Sequence, residues 1–276
     1  MLLPSGVTTA ETVPDATAEE NNLYPLGGIN KKYRPGIGRQ IYIPAGEFQM
    51  GCDPLHNGGY EVCYYDEVPL HTVYLDAYLI DATEVTNAQY VLCVALGVCS
   101  VPPEHYYDNP EYADHPVILV DWFQAQDYCT WAGGSLPTEA QWEKATRGST
   151  DTRAFPWGDA SPDCSLANFE DFYGTGERCV DFTSAVGSYP DGASPYGLLD
   201  MAGNVYEWVH DWYYAAYYTD SPYANPTGPD TGTVRVLRGG SWAQIDLLVR
   251  VAARWYYDPT IPSGDVGFRC AYPSDR

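Results

Sequence analysis

Residues 238–260, RGGSWAQIDLLVRVAARWYYDPT, bring together groups that could do chemistry: Arg238, Arg250 and Arg254, the hydroxyl of Ser241, the carboxyl of Asp246 and the run Trp255-Tyr256-Tyr257. Arg250 and Arg254 lie four apart, and Arg269 follows downstream. Guanidinium groups grip carboxylates through paired N–H donors, so one reading is a rim that binds a carboxylate. The plainer reading is that these arginines ion-pair with acids at the edge of the core, such as Glu207 and Asp211. Covalent chemistry is poorly supplied. The stretch has no cysteine or histidine, and Gly239-Gly240-Ser241 reads as a tight turn rather than a nucleophile elbow. The G-x-S-x-G, P-loop and dinucleotide fingerprints are absent.

Thiols and imidazoles are the next candidates. The five histidines, His56, His71, His105, His115 and His210, show no metal-ligand spacing, and His71 and His115 read as structural residues near strands. The eight cysteines include no C-x-x-C, which argues against zinc ribbons and thioredoxin-like sites. Six of them form near pairs in sequence, Cys52/Cys63, Cys93/Cys99 and Cys164/Cys179, which leaves Cys129 with Cys270. Disulfides are the economical interpretation, and they place the chain in an oxidising compartment, extracellular or at the cell surface. The apolar stretch in MLLPSG is too short for the core of an export signal. No run of 18 apolar residues exists, so no membrane-spanning helix is expected.

Charge narrows the partners. The formal net charge is −23, a field that repels phosphate backbones and anionic membranes, so nucleic acid is an unfavourable partner. The same carboxylates could bind Ca²⁺. Tyrosine is abundant, 25 residues against 7 phenylalanines, and suits half-buried recognition surfaces.

These groups must be positioned by a scaffold rich in turns, given 26 Gly and 22 Pro. RQIYIPAGEFQMG and HTVYLDAYLIDATEVT alternate like strands. Capping boxes announce three helices, at Thr86/Gln89, Asp121/Gln124 and Thr138/Gln141, and Gly97, Gly133 and Gly148 stand where the helices should end. Beyond residue 150 the pattern is loops with short strands. Residues 1–38 are polar, acidic and aperiodic, with no structure expected of them alone. They form a candidate arm, which could lie on its own domain or on another copy of the chain. The expectation is an α+β, disulfide-stapled domain over residues 39–276 behind this arm.

Seven segments in order resemble the formylglycine-generating enzyme (sulfatase-modifying factor) family. They are IPAGEFQMG, EVPLHTVYLDAYLIDATEVTNAQY, HPVILVDWFQAQDYCTWAGGSLPTEAQWEKATRG, FPWGD, VGSYPDGASPYGLLDMAGNVYEWVHDWY, VLRGGSW and GDVGFRCAY, and they cover about residues 40–273. The resemblance implies a modified C-type-lectin fold. It also implies a disulfide from the cysteine before WAGG to that in GFRC, matching Cys129 and Cys270, and a short disulfide loop at CVALGVC. Formylglycine-generating enzymes oxidise a peptide cysteine with O₂, using two cysteines after the Gly-Gly-Ser turn to hold Cu(I), which soft thiolates suit. Here Ala243, Gln244, Ile245, Asp246, Leu247, Leu248 and Val249 follow that turn, both cysteines are missing, and no copper is expected. The iron-binding histidine motif of the sister sulfoxide synthases is also missing. The family's calcium ligands would fall on Asn168, the Phe169 carbonyl, Asp181 and the Thr183 carbonyl, with a second site at Asn204 and Glu207.

Bacterial and phage members of this fold also serve as ligand binders, some with a diversified segment from RGGSW to GFR. On that pattern Arg250, Ala252 and Arg254 are framework. Gln244, Ile245, Asp246, Leu248, Val251, Ala253, Trp255, Tyr256, Tyr257, Thr260 and Ile261 form the exposed set. The functional expectation is a non-catalytic extracellular binding module. It would recognise a protein or other ligand through residues 242–262, with Trp242, Gln244, Asp246, Arg250, Arg254, Trp255, Tyr256 and Tyr257 in contact. The alternatives are a structural subunit assembling through its N-terminal arm and a formylglycine-generating-type oxidase.

Overall fold

The computed structural model describes residues 37–275 apart from 61–62 and 172–175. The arm expected over residues 1–38 falls almost wholly outside the described residues. Eleven strands and four helices follow in chain order: β1 (Gln40–Ile43), β2 (Gly46–Met50), β3 (His71–Leu75), β4 (Tyr78–Asp81), α1 (Asn87–Ala95), α2 (Trp122–Ala132), α3 (Glu139–Arg147), β5 (Glu170–Asp171), β6 (Glu177–Arg178), β7 (Tyr206–Trp212), α4 (Tyr217–Asp220), β8 (Arg235–Arg238), β9 (Trp255–Tyr257), β10 (Val266–Gly267) and β11 (Ala271–Pro273).

The three long helices start where the local sequence dictates. Thr86, Asp121 and Thr138 each accept the N–H of the residue three ahead, and Gln89, Gln124 and Gln141 return the bond to the cap backbone. Such boxes satisfy N–H groups that a helix end leaves without partners, so they need no help from the rest of the chain. Gly133 caps α2 with φ at 84°, in the left-handed region that favours glycine.

Four small sheets hold the strands. One runs β1-β4-β11, one β10-β7-β8-β9, and β2-β3 and β5-β6 pair alone. β4 is central to the first, antiparallel to both neighbours, with Ile80 opposite Ile41 and Ala271. In the second, β8 lies antiparallel between β7 and β9, setting Leu237 opposite Trp208 and Trp255. One core gathers α1, α2 and the β7 aromatics around Tyr90, Tyr128, Trp208 and Phe268. A second packs β1 to β4 against α3 and β8 around Trp142. A third lies under the later loops around Phe155 and Phe169.

All eight cysteines are bonded, as Cys52–Cys63, Cys93–Cys99, Cys129–Cys270 and Cys164–Cys179. The Cys129–Cys270 bridge ties α2 to the start of β11 across 141 residues of sequence. It spans the longest loop of the four and so constrains the unfolded chain most.

Candidate binding face and the buried ion pairs beneath it

α3 is the beam under this site. Glu139, Glu143 and Arg147 recur every fourth residue and share one helix face. Every residue of α3 but Gln141 is buried, so these charges must find partners inside the protein. Arg238, at the end of β8, bridges Glu139 Oε1 at 2.8 Å and Glu143 Oε2 at 2.7 Å. Arg254 grips Glu139 with two donors, Nε to Oε1 at 2.7 Å and Nη2 to Oε2 at 2.9 Å. Burial pushes the Glu139 carboxyl up, but Arg254 and Arg238 outweigh it and hold its pKa below the usual value. Arg250 makes the same two-donor grip on Glu67, at 2.7 and 3.0 Å. Arg269 does so on Glu207, at 2.7 Å for both bonds, and Trp142 Nε1 adds a third donor at 2.9 Å.

These contacts correct part of the sequence reading. Arg250 and Arg254 are only 1% and 5% exposed, and their donors are spent on carboxylates and carbonyls. They cannot reach a ligand, and the expected carboxylate-binding rim is an internal frame. Of the two acids expected to pair with the arginines, Glu207 does. Asp211 instead accepts the backbone N–H of Glu139 at 2.9 Å, and burial, reinforced by Glu139, pushes its pKa up to about 8. Arg235 is handled differently again, stacked between the Trp122 and Trp212 rings at 3.8 and 3.5 Å.

The Gly-Gly turn leads the chain away from this frame. A Cβ on Gly240, whose φ is 72°, would come within 2.7 Å of Val249 Cγ1 and 2.8 Å of the Leu248 carbonyl. Only glycine fits that approach. From there Trp242, Gln244, Ile245 and Leu248 are half-buried and Asp246 is buried. Val251 and Ala253 are buried together with Ala252, contrary to the expected exposure of the residues between the framework positions. The cause is that this stretch threads the interior: Val251 donates to the Ala154 carbonyl at 2.7 Å. Asp246, Val251 and Ala253 therefore leave the expected exposed set.

What emerges at the surface is aromatic. Trp255, Tyr256 and Tyr257 make up β9 and are 46%, 45% and 36% exposed. Tyr256 stacks on Tyr213 with ring centroids 4.3 Å apart, and Trp255 lies along Tyr256 at 5.9 Å. The Tyr213 hydroxyl donates to Asp66 at 2.8 Å. Arg254 donates to the carbonyls of Asp66 and Tyr214, which ties exposed Tyr65 and Tyr214 to the same buried anchor. Thr260 and Ile261 continue the exposed surface. Tyr65 and Tyr214 were not found from the sequence, because they reach the face from distant loops.

The expected calcium ligands divide. At the second site, Glu207 is taken by Arg269, and the Asn204 amide is spent: Oδ1 accepts the Ser184 N–H at 2.8 Å and Nδ2 donates to Glu84 at 2.9 Å. Those two residues do not fit a cation. At the first, Asn168 is fully buried, donates to the Phe182 carbonyl at 2.8 Å, and leaves Oδ1 without a hydrogen-bond donor. Asp181 is exposed, the Phe169 carbonyl accepts Cys179 N–H at 2.9 Å, and Thr183 Oγ1 pairs with His115 Nδ1 at 2.9 Å. The unpartnered Asn168 Oδ1 is an oxygen donor of the type that Ca²⁺ takes.

Residues 27–273 match the sulfatase-modifying factor enzyme 1-like domain. The formylglycine-generating enzyme of Streptomyces coelicolor is 36% identical over 288 residues, covering 86% of this chain and 90% of that enzyme. Serine/threonine-protein kinase pkn1 of Chlamydia pneumoniae is 36% identical over 261 residues, but the chain spans only 39% of that kinase's length. Among solved structures, PvdO from Pseudomonas aeruginosa superposes with a TM-score of 0.71 at 26% identity, covering 87% of this chain and 96% of that one. The variable protein 1 of Treponema denticola does so with a TM-score of 0.64 at 26% identity, covering 85% and 94%. The architecture is the expected α+β, modified C-type-lectin fold with four disulfides. On the family match and the shared length, the chain belongs to the sulfatase-modifying factor enzyme 1-like family.

Proposed function

We propose that this chain is a non-catalytic binding module whose contact face is the aromatic surface of Trp255, Tyr256 and Tyr257. The observation that carries the reading is the pairing of that exposed face with a buried layer of Arg–Glu ion pairs beneath it. Rigid aromatic side chains supply large contact area at low conformational cost, and a face held by buried Arg–Glu pairs is ordered before the ligand arrives. The four disulfides support an extracellular or cell-surface setting. A structural calcium ion at Asn168, Phe169, Asp181 and Thr183 belongs to the same reading.

A second reading, an oxidase of the formylglycine-generating type, draws support from the Streptomyces coelicolor relative. Against it, every cysteine is in a disulfide, so no thiol pair is free to hold Cu(I) beside Ser241 and Gln244. The two are separated by incubating the protein with Cu(I), O₂ and a cysteine-containing sulfatase peptide. Conversion of the peptide thiol to an aldehyde, read by mass spectrometry, refutes the binding-module reading. For the positive arm, panels of oligosaccharides and peptides are probed with the wild type and with Trp255→Ala. The reading fails if no bound ligand weakens in the variant.

A further inference from the structure

The aromatic face coincides with a sheet edge. β9 is the terminal strand of the four-stranded sheet, hydrogen-bonded to β8 on one side, and no strand among the described residues pairs with its other side. Natural edges are usually blunted with lysine, proline or an inward charge, because a free edge offers unpaired N–H and C=O groups to any extended chain. β9 has none of these in its three residues and presents Trp-Tyr-Tyr to solvent instead.

Charge then selects the partner. The molecule carries a net charge of −23. Among the described residues only Arg39, Arg153 and Arg178 hold a cation that is not buried, and Arg153 and Arg178 are paired with Asp151 and Glu170. Arg254, beneath the face, is buried against Glu139, which it shares with Arg238, and Asp66 stands beside Tyr213. The solvent side of β9 therefore offers ring faces on a molecule whose net charge is strongly negative. That combination attracts ammonium and guanidinium groups and repels phosphates, acidic sugars and anionic lipid.

Resting on the binding-module reading, we infer that the face takes an extended, cationic polypeptide. Its main chain pairs with the free edge of β9, and its lysine or arginine side chains lie over Trp255 and Tyr256. Main-chain pairing supplies affinity without a particular sequence, while the alternate side chains that meet the rings supply selectivity.

The test uses the full chain and synthetic ten-residue peptides in isothermal titration. The probes are an alternating Lys-Thr peptide, the same peptide N-methylated at alternate bonds, and an alternating Glu-Thr peptide. The Lys-Thr peptide binds, and its affinity falls as salt rises from 0.05 to 0.3 M. The N-methylated peptide, which lacks the donors for strand pairing, and the Glu-Thr peptide each bind at least about tenfold more weakly. Trp255→Ala and Tyr256→Ala each weaken the Lys-Thr peptide by about tenfold, and Trp255→Phe restores most of it. All variants keep the wild-type melting temperature, which separates a lost contact from a lost fold. Equal binding of the N-methylated or Glu-Thr peptide overturns the inference, as does indifference to Trp255→Ala. If no peptide binds but an oligosaccharide does so in a Trp255-dependent way, the cationic partner is refuted and the binding face stands. If nothing bound depends on Trp255, both fall.

Discussion

Replacing Arg250 with methionine separates a structural arginine from a ligand contact. Arg250 is 1% exposed and gives two donors to Glu67, which is equally buried. Arg250→Met keeps most of the side-chain volume but strands the Glu67 carboxylate away from water, with the Tyr64 N–H among the donors left to it. Breaking a buried pair from one side costs about 3–5 kcal/mol, because the remaining charge is uncompensated. In a domain of this size each kcal/mol lowers Tm by about 2–4 °C, so the expected drop is roughly 6–20 °C. Glu67→Met in the Arg250→Met background removes the stranded charge and should recover most of the loss, since an apolar pair of similar volume is often as stable as a buried ion pair. The assay is thermal unfolding of the two single variants and the double variant, read by circular dichroism. A Tm within about 2 °C of wild type for Arg250→Met would refute the buried-frame account and return Arg250 to the ligand-binding set.

Three further outcomes are expected. Removing the long bridge with Cys129→Ala and Cys270→Ala should cost about 5 kcal/mol in the chain-entropy model, against about 2 kcal/mol for Cys93→Ala and Cys99→Ala, so denaturant midpoints should fall in that order. Burial raises the Asp81 carboxyl from 3.8 to about 7, so the folded state holds a proton that the unfolded chain releases. Stability should accordingly decline as pH rises between those values, by up to about 1.4 kcal/mol per pH unit, and level off above them. Asp81→Asn should flatten that slope in urea titrations, and an unchanged slope counts against the assignment. EDTA should lower Tm through loss of calcium from the Asn168 site, Asn168→Ala should abolish that sensitivity, and an EDTA-insensitive wild type excludes a structural ion.

Local chemistry was legible before any fold was known. Capping boxes act over three residues, so Thr86, Asp121 and Thr138 announced their helices. β1 to β4 were visible as alternating strands for a similarly local reason. The near spacing of six cysteines suggested pairs, and the family resemblance pointed to Cys129–Cys270, but the sequence left the connectivity of the close pairs open until the structure showed Cys52–Cys63, Cys93–Cys99 and Cys164–Cys179. The missing thiols after Gly240 were equally plain, since an absent residue needs no tertiary context.

The site required the tertiary structure. Arg254 and Glu139 are 115 residues apart in sequence, and Arg250 and Glu67 are 183 apart. Four arginines in an acidic chain are compatible with a rim or a frame, and only burial decides between them. A guanidinium buried against a carboxylate has spent its charge. The exposed set failed at Val251 and Ala253 because the diversified-segment pattern assumes that the residues between the framework positions reach solvent, whereas this stretch runs through the interior. The sequence by itself determined where helices start and which chemistry is missing, both matters of near neighbours or of composition. Tertiary structure alone decided which charges are spent inside and which rings remain outside, because desolvation depends on everything packed around a group rather than on its neighbours in the chain.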